Sequence, residues 1–305
     1  MLSIDLRKKI GLDPPFRQYV PVSLRPGEIP IRASIHGSFG TMDGAWNCSV
    51  ASLDPVLLVL TEQTDATSVE GLTFAGEAGR FLGELRLAIA GRCGPRREYL
   101  ICAVTGRRNA CVSWNKLVVN YLRYAVSAWR RPSTDRSRTV GPRLSSLLAF
   151  YIRPRPVVIV SLADVPGDRH QFPMDLVGQA PGGVLLMALR STNVSVKTMT
   201  ASSRLAICDV PLSFAPTAYE LAAGHKVRRP RERPSFDVTS SPTWGLPLPA
   251  CGVRIRELEV AHVEQVGSHH LFTTRVVYDA DSGQPRLHHV CGFAERFAKA
   301  APQAP

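Results

Sequence analysis

Two short apolar runs of aliphatic and β-branched residues, at positions 157–162 and 184–189, constrain the fold of this chain more than any other feature. Each run has the length of a buried strand and is shorter than a typical helix. A third run follows at 205–211, and apolar and polar residues alternate over three later segments, at 253–263, 270–278 and 287–290. The pattern predicts a mainly β C-terminal half.

The second run ends in a turn that carries a cation and several hydroxyl groups. Arg190, Ser191 and Thr192 follow it directly, and Ser195 and Lys197 come shortly afterwards. A guanidinium group presents a planar fork of donors, and a following helix points its free N–H groups at an anion. The turn therefore predicts a phosphate-binding corner, and a plain helix cap made by the same hydroxyl groups is the alternative.

The order of these pieces resembles that of a known family. A strand, the segment PMDLVG at 173–178, a second strand, the segment LRSTNVSVKTM and the third strand LAICDVP follow one another. Further on, residues 256–277 look like a later pair of strands joined by the turn Gly267-Ser268-His269. Over residues 150–297 the chain resembles the flavin reductase-like, FMN-binding split-barrel family.

The resemblance implies a fold and a cofactor site. The fold would be a Greek-key split β-barrel, usually a homodimer with the flavin near the subunit boundary. The FMN phosphate would lie against Arg190, Ser191, Thr192, Ser195 and Lys197. The ring edge would lie against Pro173, Met174, Asp175 and Leu176, although Asp175 departs from the neutral Ser, Thr or Asn more usual there.

The resemblance also implies an activity. His269 stands where the family often has a histidine near the nicotinamide site, which makes it the catalytic candidate, and a structural histidine is the alternative. The implied enzyme is a flavin-dependent oxidoreductase, in which hydride passes from NAD(P)H to FMN, with FAD as the alternative flavin. Its reduced flavin would serve a partner monooxygenase. A flavin-dependent biosynthetic enzyme with a bound organic substrate and a non-enzymatic flavin- or haem-binding protein are the alternative functions.

The charge of the chain suits anionic partners. Its net charge is +12, with six arginines at 123–143 and five cations at 226–233. Phosphorylated small molecules such as FMN and NAD(P)H, or a nucleic acid, fit this excess. No helix-turn-helix, RNP or zinc-finger pattern appears, which disfavours nucleic acid.

The length of 305 residues exceeds the usual size of one domain and predicts two units. The polar, basic segment 132–145 is the linker candidate, so the predicted units are residues 1–145 and 146–300. The first would be an α/β region of unknown role that extends the β domain, with helices at 75–90 and 115–131. Strands are predicted there at 55–61 and 98–105, and no internal repeat is apparent.

The cysteines and the apolar segments predict a cellular location. None of the seven cysteines forms a Cys-x-x-Cys pair, which predicts buried free thiols and no metal site. No apolar stretch approaches the roughly 20 residues that span a bilayer, and the first residues do not form a secretory signal. The prediction is a cytoplasmic protein without membrane contact.

Overall fold

The computed structural model describes residues 19–28, 30–44, 48–60, 67–112, 118, 146, 148–163, 169–223 and 236–298. Antiparallel β-sheets dominate these residues, which confirms the mainly β prediction. The helix predicted at 115–131 lies, apart from residue 118, outside the described residues. The linker at 132–145 and the two basic runs at 123–143 and 226–233 lie wholly outside them.

A seven-stranded sheet, the C-terminal sheet, contains the three apolar runs as β10, β13 and β14. Its strands are β10 (Val158–Ala163), β11 (Arg169–Met174), β12 (Val177–Ala180), β13 (Val184–Arg190), β14 (Arg204–Asp209), β17 (Arg254–Val266) and β18 (His269–Asp281). They lie in the order β11-β10-β14-β17-β18-β13-β12, and all neighbours are antiparallel. The strands predicted at 253–263 and 270–278 are therefore confirmed.

Short elements connect these strands. Helix α1 (Ser195–Ala201) joins β13 to β14, and α2 (Ala215–Ala223) follows β14 after a 3-10 turn. The hairpin β15 (Val238–Ser240) and β16 (Pro247–Pro249) precedes β17, and α3 (Glu295–Ala298) comes last. Among the described residues, no helix has the length and apolar character that crossing a membrane requires.

A second seven-stranded sheet, the N-terminal sheet, lies in the first half of the chain. Its strands are β2 (Arg32–Gly37), β3 (Gly40–Asp43), β4 (Cys48–Leu53), β5 (Val56–Leu60), β6 (Val69–Ala75), β7 (Phe81–Cys93) and β8 (Tyr99–Asn109). Their order is β3-β2-β6-β7-β8-β5-β4, again with antiparallel neighbours. The strands predicted at 55–61 and 98–105 are β5 and β8.

The helix predicted at 75–90 is wrong, because this segment ends β6 and forms most of β7. The apolar residues Leu85 and Leu87 are buried and alternate with Glu84 and Arg86, which is the period of a strand. The helical spacing of other apolar residues in the segment competed with this alternation. Pairing of β7 with β6 on one side and β8 on the other settles the competition.

The two large sheets share one strand order. When the strands of each sheet are numbered along the chain, both orders read 2-1-5-6-7-4-3. The main difference lies between the fifth and sixth strands, where residues 76–80 connect β6 to β7 but residues 210–253 connect β14 to β17. The topology therefore repeats, although no repeat is apparent in the sequence.

A small sheet and a shared core join the two halves. The strands β1 (Tyr19–Leu24), β19 (Arg286–Cys291) and β9 (Arg155–Pro156) form a three-stranded sheet in the order β1-β19-β9. One apolar cluster contains Leu58 of the N-terminal sheet together with Leu186 and Leu271 of the C-terminal sheet. None of the seven cysteines forms a disulfide, and all except the exposed Cys251 are buried.

Candidate functional site

The corner after β13 lies against the turn between β17 and β18. Arg190, the last residue of β13, is paired in register with His269, the first residue of β18. The Ser191 N–H donates to the carbonyl oxygen of Ser268 (3.0 Å), and the Ser191 hydroxyl lies 3.2 Å from Nδ1 of His270. Two predicted pieces that are far apart in the chain therefore meet.

The start of α1 uses part of the predicted donor set for its own hydrogen bonds. Oδ1 of Asn193 accepts the N–H of Ser195 (2.9 Å). The Ser195 hydroxyl is buried, with its Oγ 2.5 Å from Nε2 of His170. Thr192 and Lys197 are exposed. The Ser195 hydroxyl is thus engaged with His170, and we define the cationic corner as Arg190, Ser191 and Thr192.

His269 is 1% exposed and contacts both halves of the chain. Its Nδ1 lies 2.9 Å from the hydroxyl of Ser268 and accepts the N–H of Leu53 at 3.4 Å. Because Nδ1 is an acceptor, the proton of the neutral ring is assigned to Nε2. Burial lowers the pKa of His269 to about 4, Arg190 adds to the shift and Asp175 opposes it. The ring is therefore neutral at pH 7.

The segment predicted to meet the ring edge connects β11 to β12. Pro173 is a residue of β11 and pairs with Ile159 of β10. Met174 and Leu176 are buried in two different apolar clusters, so their side chains face the interior of the protein. The polar groups of this segment are the Asp175 carboxylate and the backbone.

Asp175 forms an ion pair with Arg155 and accepts a hydrogen bond from Nε2 of His289 at 3.0 Å. Burial acts to raise the pKa of Asp175, but the Arg155 charge and the His289 hydrogen bond outweigh it and hold the pKa well below its usual range. The carboxylate is therefore charged at neutral pH. Its negative charge also acts to raise the pKa of His269, against the larger effect of burial.

An aromatic cluster that the sequence analysis missed surrounds this ion pair. The Arg155 guanidinium lies 3.7 Å from the ring centroid of Tyr151, and Tyr19 stacks on His289 at 4.3 Å. Within the described residues, Nε and Nη2 of Arg155, Nδ1 of His289 and the Tyr219 hydroxyl are buried without a hydrogen-bond partner. These residues are scattered along the chain, and no local spacing marks them.

The residues of the site fit a flavin mononucleotide. The cationic corner combines a guanidinium group with two hydroxyl groups, the donor set that suits a phosphate. Buried polar atoms without partners lie beside Asp175, and such atoms are costly unless a further group completes their hydrogen bonds.

Comparisons with known proteins give matches among solved structures alone. No protein-family model matches the chain, and no curated protein matches it. A Sinorhizobium meliloti 1021 protein assigned as an oxidoreductase is 20% identical, with a TM-score of 0.43, and the match covers 50% of this chain and 52% of that one. This chain thus spans about half the length of that protein.

Two other solved structures are matched over nearly their full length. The NADH:FAD oxidoreductase of Streptomyces globisporus C-1027 is 17% identical, with a TM-score of 0.46, and the match covers 53% of this chain and 95% of that one. The styrene monooxygenase flavin reductase of Pseudomonas putida S12 is 18% identical, with a TM-score of 0.39, over 47% and 95%. The matched structures also include a flavin reductase and an FMN-binding protein from Thermus thermophilus.

Proposed function

We propose that this protein binds FMN and is an oxidoreductase of the flavin reductase type, which takes hydride from NAD(P)H. The observation that supports the proposal is the junction of β13 with β18. It pairs Arg190 of the cationic corner with His269, and Asp175 follows β11 in the segment that the resemblance assigns to the flavin ring. A flavin needs cationic and hydroxyl donors for its phosphate and polar groups for its ring. The cationic corner would supply the first, and His269 and Asp175 the second.

The cationic corner would hold the FMN phosphate. The Arg190 guanidinium and the hydroxyl groups of Ser191 and Thr192 are the donors. Hydrogen bonds to a charged group contribute about 1.5–3 kcal/mol each, more than neutral ones. The exposed Lys197 adds a charge that water screens, so its contribution is the smallest of the set.

The groups near Asp175 would hold and orient the ring. Because the side chains of Met174 and Leu176 face the interior, the ring edge would meet the backbone of residues 173–176 and the Asp175 carboxylate. Arg155 keeps that carboxylate charged, and the nearby aromatic side chains exclude water. The bound flavin supplies the hydride chemistry, and these residues supply position and electrostatics.

The finer parts of the proposal follow from the resemblance. Residues 146–300 would be the flavin-binding unit, FMN the flavin rather than FAD, and NADH or NADPH the reductant. A partner monooxygenase would receive the reduced flavin. The cytoplasmic location remains a prediction, and the homodimer is what the resemblance alone implies.

The test compares FMN with riboflavin, which has the same ring and no phosphate. We expect the double variant Arg190→Ala with Ser191→Ala to bind FMN about 30-fold or more weakly and riboflavin unchanged, measured by fluorescence quenching. Thr200→Ala, which removes an exposed hydroxyl from the neighbouring helix α1, is the matched control. Equal loss of both ligands would place the phosphate elsewhere, and no binding of either would reject the flavin.

A flavin-binding protein without reductase activity is the second candidate. The burial of His269, which is 1% exposed, favours it, because a catalytic residue has to reach the nicotinamide. NAD(P)H consumption by the FMN-loaded protein separates the two candidates. A His269→Asn variant that keeps full activity would assign this residue to the structure and leave the reductase intact.

A further inference from the structure

A cavity outside the cationic corner is lined by an unusual number of arginines. It measures about 50 Å³ and is bordered by Arg25, Arg153, Arg254, Arg256, Arg286 and His288, with Asp209 as the one lining carboxylate. No residue of the cationic corner lines it. It reaches β13 at Leu185, five residues before Arg190, which is about 16 Å along a strand. We call it the arginine cavity.

Buried positive charge exceeds buried negative charge in the arginine cavity. Arg153, Arg256 and Arg286 are 6%, 6% and 8% exposed, and Asp209 is the buried carboxylate among the lining residues. Two of the arginines share it: Nη2 of Arg256 lies 3.0 Å from Oδ2 of Asp209, and Nη1 of Arg286 lies 3.4 Å from the same oxygen. Asp281, which is more exposed, also pairs with Arg286.

Arg153 bonds the backbone instead of a carboxylate. Its Nη1 donates to the carbonyl oxygens of Gly44 (2.9 Å) and Cys48 (3.3 Å). The Nε atoms of Arg153, Arg256 and Arg286 are buried and have no hydrogen-bond partner in the described part of the chain. Burial lowers the pKa of Arg153 and of Arg256, because the loss of hydration outweighs the attraction of nearby negative groups.

We propose that the arginine cavity binds a small oxyanion with the chemistry of a phosphoryl group. Buried guanidinium groups are costly unless anions compensate them, and a planar fork of donors matches the oxygens of a phosphate. The cavity volume of about 50 Å³ exceeds what a single water needs, and the arginine lining suits the oxygens of a phosphoryl group. The cavity would take either free phosphate or the phosphoryl end of a larger molecule that enters beside the exposed Arg25.

The test uses inorganic phosphate and AMP as probes on the purified full chain. We expect calorimetry to detect phosphate binding, and Arg256→Gln to weaken it tenfold or more. Because that variant removes a buried residue, the exposed Arg25→Gln is the second variant, with an expected loss of about threefold. Arg107→Gln on β8 removes an exposed arginine remote from the cavity and is the control. Tighter binding of AMP than of phosphate would identify a phosphorylated molecule, and the reverse would identify the free ion.

Two outcomes would overturn the proposal. One is no phosphate binding at all, and the other is binding that Arg25→Gln and Arg107→Gln weaken equally. A competition experiment distinguishes the arginine cavity from the flavin site. If the two sites are separate, FMN and phosphate should bind at the same time without displacing each other. If FMN displaces phosphate in proportion to its own affinity, the cavity holds the flavin phosphate and is not a second site.

A second inference comes from the repeated strand order. The N-terminal sheet contacts the C-terminal sheet through β4, which touches β12, β13 and β18. The strand of the N-terminal sheet that is equivalent to β13 is β5, and in both strands the first three residues are Val-Leu-Leu. Leu58 and Leu186 are therefore equivalent, and both lie in the shared apolar cluster.

Polar contacts also fix the two sheets to each other. The turn between β4 and β5 meets the turn between β17 and β18, where the Asp54 N–H donates to the Ser268 hydroxyl (3.1 Å) and the Ser268 N–H donates to the Ser52 hydroxyl (3.1 Å). A Cβ atom on Gly267 would collide with the Ser52 hydroxyl and lie 2.9 Å from the carbonyl oxygen of Asp54. The turns are packed as closely as glycine permits.

The equivalent of the cationic corner lacks cations in the first half. The segment after β5, residues 61–68, reads TEQTDATS, contains Glu62 and Asp65 and has no lysine or arginine. Residues 61–66 of it lie outside the described part of the chain, so this statement concerns sequence alone. An acidic segment repels a phosphate, where the corner after β13 would attract one.

We infer that the N-terminal half is a second copy of the C-terminal fold that binds no flavin and packs where a second chain would otherwise pack. The protein would then act as a single chain with one flavin, and the predicted homodimer would be replaced by an internal pair. The flavin count rests on the proposed function, whereas the single-chain state does not.

Light scattering after size-exclusion chromatography tests the single-chain state. We expect a mass near 33.3 kDa, that of one chain, with and without FMN. A mass of two chains would overturn the inference. With saturating FMN we expect one flavin per chain, and two would show that both halves bind. Absence of flavin would reject the proposed function and leave the mass measurement valid.

Two glycine variants test the contact between the sheets. Gly267→Ala and Gly183→Ala both place a side chain on a residue with positive φ, at 55° and 72°. Only the Cβ of Gly267→Ala would also clash with the N-terminal sheet. The nearest atom to a Cβ on Gly183 is 3.9 Å away, on Val276. We expect Gly267→Ala to speed amide exchange at Asp54 tenfold or more and Gly183→Ala to leave it unchanged. Equal effects would show that the turn contact does not join the halves.

Discussion

The two large sheets of this protein have the same strand order and very different interiors. Within residues 30–112, the described part of the N-terminal sheet and its turns, the buried polar side chains are Ser49 and Ser52, and no charged side chain is buried. The C-terminal sheet buries Asp209, Arg256, Glu257 and His269. One topology thus supports an apolar scaffold in one half and a set of charged sites in the other.

This difference separates the features that specify the strand order from the features that bind ligands. A strand order is specified by the alternation of apolar residues and by the turns, which both halves supply. Buried charges add nothing to such an arrangement and are costly, so their presence in one half marks the half that binds ligands. If only the C-terminal half depends on buried charges, the largest effect should follow from the loss of a buried ion pair.

Asp175→Asn should destabilise the protein most. The substitution removes the negative partner of the buried Arg155 and weakens the bond from His289, so an unpaired charge is left inside. We expect a loss of about 3–5 kcal/mol in the free energy of unfolding, measured by urea denaturation. Asp279→Asn, which breaks the more exposed pair with Arg254, is the control and should cost under about 1 kcal/mol. Similar losses in both variants would show that the Asp175–Arg155 pair stabilises the protein no more than the Asp279–Arg254 pair does.

Leu58→Ala and Leu186→Ala should have similar effects on both sheets. The two residues are equivalent in the strand order, and each is 0% exposed in the shared cluster. We expect each truncation to cost about 2–5 kcal/mol in the free energy of unfolding, because a cavity remains. Two separate unfolding transitions, each moved by one variant alone, would contradict a shared core.

Much of the C-terminal sheet was predictable because its strands are marked by local patterns. The apolar runs of β10 and β13 and the alternation of β17 specify strands without reference to other parts of the chain. The resemblance named Arg190 and His269 separately, and no spacing in the sequence predicted that the two pair in register. The strand β7 was mistaken for a helix, because its pairing with β6 and β8 is a long-range property.

The cluster around Asp175 could not be derived from the sequence. Arg155, Tyr19 and His289 reach it through the small sheet β1-β19-β9, whose strands come from three distant parts of the chain. The arginine cavity is hidden for the same reason, since arginines that are buried and arginines that are exposed look alike in a sequence. Burial has to be known before a cation can be assigned to a site.

Mild acid should weaken the C-terminal half before the N-terminal half. Burial lowers the pKa of both His269 and His288 to about 4, below the value of about 6.5 in an unfolded chain. Between these values the unfolded chain binds more protons, so stability falls as the pH drops from 6.5 to 4. Each histidine contributes up to about 1.4 kcal/mol per pH unit. The one histidine on the N-terminal sheet, His36, is not buried.

Urea denaturation at pH 7, 6 and 5 measures this loss, and amide exchange locates it. Replacing His269 and His288 by Asn should reduce the pH dependence in this window, and His289, whose pKa burial also lowers, contributes to the remainder. A slope that is unchanged in the double variant would show that other groups control the response. Exchange that accelerates first in β5 or β8 would place the acid-sensitive groups in the wrong half.

The smallest effect is expected for the surface pair of Arg275 with Glu259 on the C-terminal sheet. The side chains are 67% and 36% exposed, so water screens the attraction and the ordering of two long side chains opposes it. A double-mutant cycle with Arg275→Gln and Glu259→Gln should give a coupling energy under about 1 kcal/mol. Arg107→Gln on the equivalent strand β8 should change stability as little. A coupling above about 2 kcal/mol would mean that charge on the C-terminal sheet matters at its surface as well, and that burial is not what distinguishes the two halves.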